Sequence, residues 1–328
     1  MKPKRSIVIL LSLFALLVAS GAWAAKGDVY IVVINDAISP GIAEYINNSI
    51  ERAEKEEAAC LIIELDTPGG LAESMRLIIK DILGSSVPIV VFVAPRGARA
   101  ASAGVMITMA ADVAVMAPGT NIGAAHPVGA GGKDISGKMS EKVINDMVAH
   151  AKSVAEKRGR NQKWVEQAIR ESVSVTETEA LKENIIDLIA EDTDDLIRQL
   201  NGRKIADKGE LKLDKAQKVI VEPSLRTNIL KTISNPNIAY ILLMIGLAGL
   251  YFELSHPGAI FPGVIGGISL ILAFFALQTL PVNYAGILLI VLAIILFIME
   301  MKISSYGLLS VAGVLSLLLG SLMMFKGT

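Results

Sequence analysis

The stretch Ala59-Cys60-Leu61-Ile62-Ile63-Glu64-Leu65-Asp66-Thr67-Pro68-Gly69-Gly70 decides the fold class. Residues 59–65 form an almost unbroken apolar run of strand length, and a Thr-Pro-Gly-Gly turn stops it. A run without polar alternation reads as a strand buried on both faces. Residues 29–34 (Val-Tyr-Ile-Val-Val-Ile) repeat this pattern upstream, and residues 88–94 repeat it downstream. Between the first two runs, residues 40–57 place Ile42, Tyr45, Ile46 and Ile50 at helical spacing. A second helix is predicted over 71–83, a small-residue helix from Ala100, and a short strand over 113–116. Amphipathic helices are predicted over 140–159 and 162–172. Apolar strands alternating with helices predict an α/β domain whose parallel sheet is covered by helices.

Charge divides the 328-residue chain into three parts. Of its 63 charged residues, 56 fall in residues 26–237, while residues 238–328 hold only Glu253, Glu300, Lys302 and Lys326. The middle part is large enough for a full core and has the charge density of a soluble domain. Its 26 basic and 30 acidic residues form no basic stripe, so nucleic acid is not an expected partner. The one cysteine, Cys60, lies in an apolar run and reads as a buried strand thiol. His126, His150 and His256 are scattered, so no metal or other cofactor is expected.

The two ends read as targeting and membrane segments. Lys2, Lys4 and Arg5 precede an apolar stretch over 7–19 and the A-x-A site Ala22-Trp23-Ala24. This pattern reads as a signal peptide, or as an N-terminal anchor if it is not cleaved, and predicts that residues 26–237 lie outside the cytoplasm. Four apolar segments follow at about 238–254, 259–280, 284–300 and 306–325, each near the ~20 residues needed to cross hydrocarbon. They predict a multi-pass domain in the bilayer of the cell (inner) membrane. Gly246, Gly249, Gly263, Gly266, Gly267, Gly313 and Gly320 would allow close helix contact there. Glu253 with His256 is the only charged pair placed for ion transport, which is therefore not the favoured reading.

Two motifs in the middle domain suggest chemistry. Gly69 and Gly70, directly after a strand, let backbone N–H groups approach a ligand unobstructed. Ser102, in Arg99-Ala100-Ala101-Ser102-Ala103-Gly104, stands among small residues at a predicted helix start. Unpaired N–H groups there favour an anion and make the serine a candidate nucleophile. Each motif alone is weak, because Gly-Gly is usually a turn and such a serine is usually an N-cap.

Taken in this order, about 32 residues apart, the motifs are far more specific. The domain resembles the ClpP/crotonase superfamily, and closely the membrane-bound serine proteases of the NfeD family, related to signal peptide peptidase A. The matching strings are Asp66-Thr67-Pro68-Gly69-Gly70, Ala94-Pro95, Ala100-Ala101-Ser102-Ala103-Gly104, Met116-Ala117-Pro118-Gly119-Thr120-Asn121-Ile122-Gly123-Ala124 and Gly159-Arg160-Asn161. Val175-Thr176, Glu179-Ala180-Leu181 and Ile186-Asp187 fit the end of the family's domain. The resemblance spans about residues 28–325. Long family members continue into a small OB-type barrel.

The resemblance implies a ClpP/crotonase-like protease domain followed by a helical transmembrane domain. It implies Ser102 as nucleophile, Lys142 as general base, and the N–H groups of Gly70 and Ala103 as the oxyanion hole, with Gly69 shaping the turn. A base lysine must be neutral, so burial in the cleft is expected to lower its pKa. Asp146, one turn beyond Lys142, would oppose this if it faced the lysine. His126 is the rival base, 24 residues after Ser102, although the later segment Arg170-Glu171-Ser172-Val173 supplies no aspartate for a triad. His150 reads as structural. The implied substrates are apolar segments of stomatin-like (SPFH) membrane proteins, which would also be partners, and a homodimer or higher homo-oligomer is implied. The glycine-rich residues 128–138 are expected to be mobile and to order around substrate. The competing readings are a non-proteolytic scaffold for stomatin-like proteins and an acyl-CoA enzyme, and export and a membrane tail disfavour the latter.

Overall fold

The computed structural model describes residues 27–129, 137–233, 236–255, 260–277, 284–302 and 306–324. The expected export segment 1–25, His256 and most of the glycine-rich stretch lie outside these residues. The chain begins β1 (Val29–Asn35), α1 (Pro40–Lys55), β2 (Cys60–Asp66), α2 (Ala72–Gly84), β3 (Ile89–Val93), β4 (Arg99–Ala101) and α3 (Ala103–Ala110). It continues β5 (Val113–Met116), β6 (Asn121–Gly123), α4 (Lys138–Lys157), α5 (Gln162–Arg170), β7 (Ser174–Thr176) and α6 (Glu177–Lys182). Then come β8 (Leu188–Ile189), α7 (Thr193–Leu200), β9 (Lys204–Ile205), β10 (Gly209–Glu210), β11 (Lys218–Ile220) and α8 (Leu225–Ile233).

The apolar runs form the centre of a six-stranded parallel sheet in the order β11-β1-β2-β3-β5-β8. Alternate residues of each strand feed opposite layers. Tyr30, Val32, Ile34, Leu61, Ile63, Val91 and Val93 pack under helices α1–α5. Val29, Ile31, Cys60, Ile62, Val90 and Phe92 pack against Leu196, Leu200, Ile205, Leu211 and Leu213. Each fully buried aliphatic side chain contributes roughly 1.5–3 kcal/mol. Burial also pushes the Cys60 thiol up to about 12, so it stays protonated and inert.

A second, three-stranded sheet stands beside the first. In it β4 pairs parallel with β6, and β6 pairs antiparallel with β7. It is joined to β2 by a bridge between Thr67 and Ala100. Ser102 is therefore held where two sheets meet. The predicted helix from Ala100 is corrected here: residues 99–101 are strand, because pairing with residues 121–123 outweighs the helix preference of alanine.

The tail forms four helices, α9 (Pro236–Ser255), α10 (Ile260–Leu277), α11 (Tyr284–Lys302) and α12 (Leu308–Met324). α9 packs along α10, and α11 along α12. A side-chain carbon on Gly249 would lie 2.4 Å from the Pro262 carbonyl oxygen and 2.8 Å from Gly266 Cα, so these backbones touch. Gly320 is equally close to the Gly286 carbonyl, at 2.8 Å. The segments are helical near their expected bounds. Yet among the described residues no helix is long and apolar enough to cross a membrane. At ~1.5 Å per residue these helices are about 26–30 Å long, at the lower edge of the hydrocarbon thickness. None of the expected spans is thus met by the described residues. Among them Glu253 lies against Gly263, whose Cβ position its carboxylate fills.

Candidate active site

Ser102 occupies the single residue between β4 and α3, with φ 52° and ψ −111°. Such a backbone is sparsely populated by non-glycine residues and stores roughly 1–3 kcal/mol of strain. It makes the sharp strand-to-helix turn that presents a nucleophilic side chain beyond a sheet edge. The surroundings fix it on both sides. Ser102 N–H donates to the Gly123 carbonyl at 3.1 Å, and the Ser102 carbonyl accepts from Val105 N–H at 3.1 Å.

The glycine turn meets this serine directly. Gly69 and Gly70 have φ of 116° and 156°. A side-chain carbon on Gly69 would lie 2.6 Å from Ser102 Cβ and 3.0 Å from its Oγ. One on Gly70 would lie 2.2 Å from the Ile38 carbonyl oxygen. Ile38 N–H donates to the Gly69 carbonyl at 2.7 Å, and Leu71 N–H donates to the Ile38 carbonyl at 2.8 Å. Among the described residues, the N–H groups of Gly70 and Ala103 have no hydrogen-bond partner. Ala103 N–H is also at the positive end of α3. The arrangement therefore brings a serine hydroxyl and unpaired backbone donors to one place, as acyl transfer requires.

Arg160, from the Gly-Arg-Asn string, supports α3 from its other end. Its guanidinium donates to the carbonyls of Met109 and Ala111 at 2.7 and 2.8 Å, and to Asp187 at 2.6 Å. It thus caps the final carbonyls of the helix that starts beside Ser102. Asp112 lies next to it, buried, bonded to Arg158 at 2.6 Å and to Lys208 at 2.7 Å. Asn161 caps α5 by accepting from Trp164 N–H at 2.9 Å. The polar character of these residues was visible in the sequence, but their backbone partners were not.

The candidate bases fall differently from expectation. Lys142 lies near the start of α4, which packs on α3, but its side chain is exposed. Among the described residues no hydrogen bond joins it to Ser102. The expected burial in a cleft is not met among the described residues, where the Lys142 side chain extends into solvent. Asp146 pairs with Arg76 across α2, not with Lys142. The half-buried His126 brings Nδ1 to 2.9 Å from the Ile169 carbonyl, so Nδ1 carries the proton and donates. His150 has a buried Nδ1 with no partner among the described residues. Its pKa is lowered, first by burial and then by Arg76, against an opposing pull from Asp146. Among the described residues no cluster of His, Cys, Asp or Glu is placed to hold a metal ion.

Comparison with known proteins identifies the family. The family model "NfeD1b, N-terminal domain" matches residues 28–203, and "NfeD integral membrane domain" matches residues 237–328. The chain is 36% identical to the membrane-bound protease PH1510 of Pyrococcus horikoshii, over 97% of this chain and 74% of that protein. It is 29% identical to membrane protein NfeD1b of Bacillus subtilis, over 98% of this chain and 72% of that one. Among solved structures it is similar to a lysine-to-alanine variant of the 1510-N membrane-bound stomatin-specific protease in complex with a substrate peptide. That match has a TM-score of 0.59 and 35% identity, over 64% of this chain and 98% of that one. A serine-to-alanine variant of the same protease gives 0.57 and 35%, over 61% and 100%. The α/β part thus matches the 1510-N protease domain, and the chain belongs to the NfeD family as a membrane-bound serine peptidase.

Proposed function

We propose that the chain is a Ser–Lys endopeptidase that cleaves apolar segments of stomatin-like membrane proteins. One observation carries the reading: Ser102, on a strained strand-to-helix turn, abuts Gly69 beside the unpaired N–H groups of Gly70 and Ala103. In the proposed reaction Ser102 Oγ attacks the scissile carbonyl while Lys142 Nζ takes its proton. The N–H groups of Gly70 and Ala103 stabilise the oxyanion, and Lys142 returns the proton to the leaving amine. Water, activated by the same lysine, then releases the acyl-enzyme. Lys142 must be neutral to act. A substrate laid over the exposed Lys142 side chain would displace water from it. Catalytic contacts commonly tighten only when substrate binds. Pairing of Asp146 with Arg76 supports the role, since this carboxylate is occupied elsewhere.

Apolar substrates are supported by exposed Met139, 63% accessible and one turn before Lys142, and by exposed Val128. The name of the 1510-N relatives supports the stomatin-like class. We infer further that the chain carries an export signal and a multi-pass tail, holds its protease domain outside the cytoplasm and forms a homo-oligomer.

The test uses the detergent-solubilised chain and a C-terminal peptide of a stomatin-like protein. Wild type should cleave, and Ser102→Ala and Lys142→Ala should not, while His126→Ala should retain activity. Cleavage surviving Lys142→Ala but lost in His126→Ala would replace the dyad with a histidine base. Stable assembly with the partner and no Ser102-dependent cleavage would favour the scaffold reading.

A further inference from the structure

We infer that Thr67 is a positioning residue of the oxyanion hole, whose hydroxyl holds the Gly69–Gly70 peptide so that the Gly70 N–H stays aimed at the reacting carbonyl. The inference rests on the reading of Gly70 as an oxyanion donor and goes beyond it. The Thr67 side chain is completely buried. Its Oγ1 lies 3.1 Å from both the nitrogen and the carbonyl oxygen of Gly69, accepting from the first and donating to the second. The Gly69 carbonyl also receives Ile38 N–H at 2.7 Å. In a planar trans peptide, the carbonyl of one residue and the N–H of the next point in opposite directions. Two donors that fix the Gly69 carbonyl therefore fix the Gly70 N–H.

Such an external constraint is needed here, because two consecutive glycines leave the peptide plane free to rotate. Thr67 is well placed to supply it, since its own backbone is tied to the strand that carries the nucleophile. Its N–H donates to the Arg99 carbonyl at 2.8 Å, and its carbonyl accepts from Ala101 N–H at 3.1 Å. Its methyl group faces α3, where a side-chain carbon on Gly104 would lie 2.7 Å from Thr67 Cγ2. Gly104 thereby leaves room for the methyl, and this contact favours the rotamer that turns the hydroxyl toward Gly69. One side chain thus sets the turn that bears Gly70 against the helix that begins at Ala103.

The test measures steady-state cleavage by the full solubilised chain for wild type, Thr67→Val, Thr67→Ser and Thr67→Ala, with Ser102→Ala as control. A loss confined to the transition state lowers kcat and leaves KM in place. Thr67→Val, which keeps the shape and removes the hydroxyl, should lower kcat about tenfold to a hundredfold, with KM within about twofold. Thr67→Ser should retain most of kcat. If Thr67→Val does not fold, the Ser and Ala variants, which differ by the hydroxyl alone, decide. Wild-type kcat in Thr67→Val, a loss confined to KM, or an equal loss in Thr67→Ser would overturn the inference while leaving the active-site reading intact. Equal cleavage by wild type and Ser102→Ala would overturn the active-site reading, and this inference with it.

Discussion

Ser102 and Gly69 are fitted to each other: no side chain can be added to Gly69 without coming within 2.6 Å of the Ser102 Cβ. The turn and the serine must therefore keep their mutual position to fractions of an ångström. Gly69→Ala would have to displace one of them, and at φ 116° it would also strain its own backbone. Misplacement by about 1 Å can cost 10²-fold in rate. We expect kcat/KM for peptide cleavage to fall by at least about that factor, with the domain still folded by circular dichroism. Activity within about threefold of wild type would mean that the serine is not placed by this contact.

Arg160 supports the opposite end of α3, and removing it should cost stability before it costs chemistry. Its side chain is only 2% exposed, while its partner Asp187 is 24% exposed. Breaking a fully buried pair costs about 3–5 kcal/mol, and the partial exposure of Asp187 favours the low end of that range. Arg160→Met would also leave the Met109 and Ala111 carbonyls unsatisfied. The urea midpoint should fall accordingly at unchanged slope. Arg160→Lys, which keeps the charge without the planar fork, should lie between.

These two sites mark what could be read from the chain alone. β1, β2, β3 and β5 were legible because burial on both faces makes each a continuous apolar run. The helices bearing Met147 and Trp164 were legible from their 3.6-residue spacing. Strands β4, β6 and β7 were not legible. Each has three residues, and residues 99–101 are strand only because residues 121–123 lie beside them, a relationship no local pattern carries. The contacts of Thr67 and Arg160 were hidden for a related reason: most of their partners are backbone groups, which look alike in any sequence. Lys142 could not be chosen over its neighbouring lysines by spacing, and its candidacy came from resemblance.

His150 should make stability sensitive to mild acid. Its folded-state pKa is depressed below the ordinary value of 6.5, first by burial and then by Arg76. For such a group both states are neutral above about 6.5. As pH falls below that value the unfolded chain binds the proton first, and stability is lost until the folded-state pKa is passed. Replacing His150 by Leu removes this linkage. Between about pH 7 and pH 5 the melting temperature of His150→Leu should therefore fall less than that of wild type. An identical pH dependence would assign the acid sensitivity to other groups.

The tail offers a separate test. Gly249 lies within contact distance of the Pro262 carbonyl and of Gly266, so α9 and α10 meet backbone to backbone. Gly249→Leu should force the pair apart and lower thermal stability in detergent. Gly267, which faces open space, provides the control. Gly267→Leu should be nearly neutral. Equal effects of the two substitutions would show that the close approach contributes nothing to the hairpin.

Lys142 provides the sharpest test of the chemistry, because the two positively charged side chains differ in the property that matters. Lysine can lose its proton to become a base, whereas arginine stays charged. Lys142→Arg should therefore be as inactive as Lys142→Ala, with kcat reduced about 10²–10⁴-fold. A role for Lys142 in holding charge or contacting substrate would instead leave the arginine variant partly active. Added methylamine should restore part of the activity of Lys142→Ala, since a small amine can occupy the vacated space and accept the serine proton. The restored rate should rise about tenfold per pH unit below the amine's own pKa, following its neutral fraction, because alkylamines titrate near the ~10.4 of lysine. Activity in the arginine variant together with no response to amine would remove Lys142 from the proton transfer and leave Ser102 in need of another base.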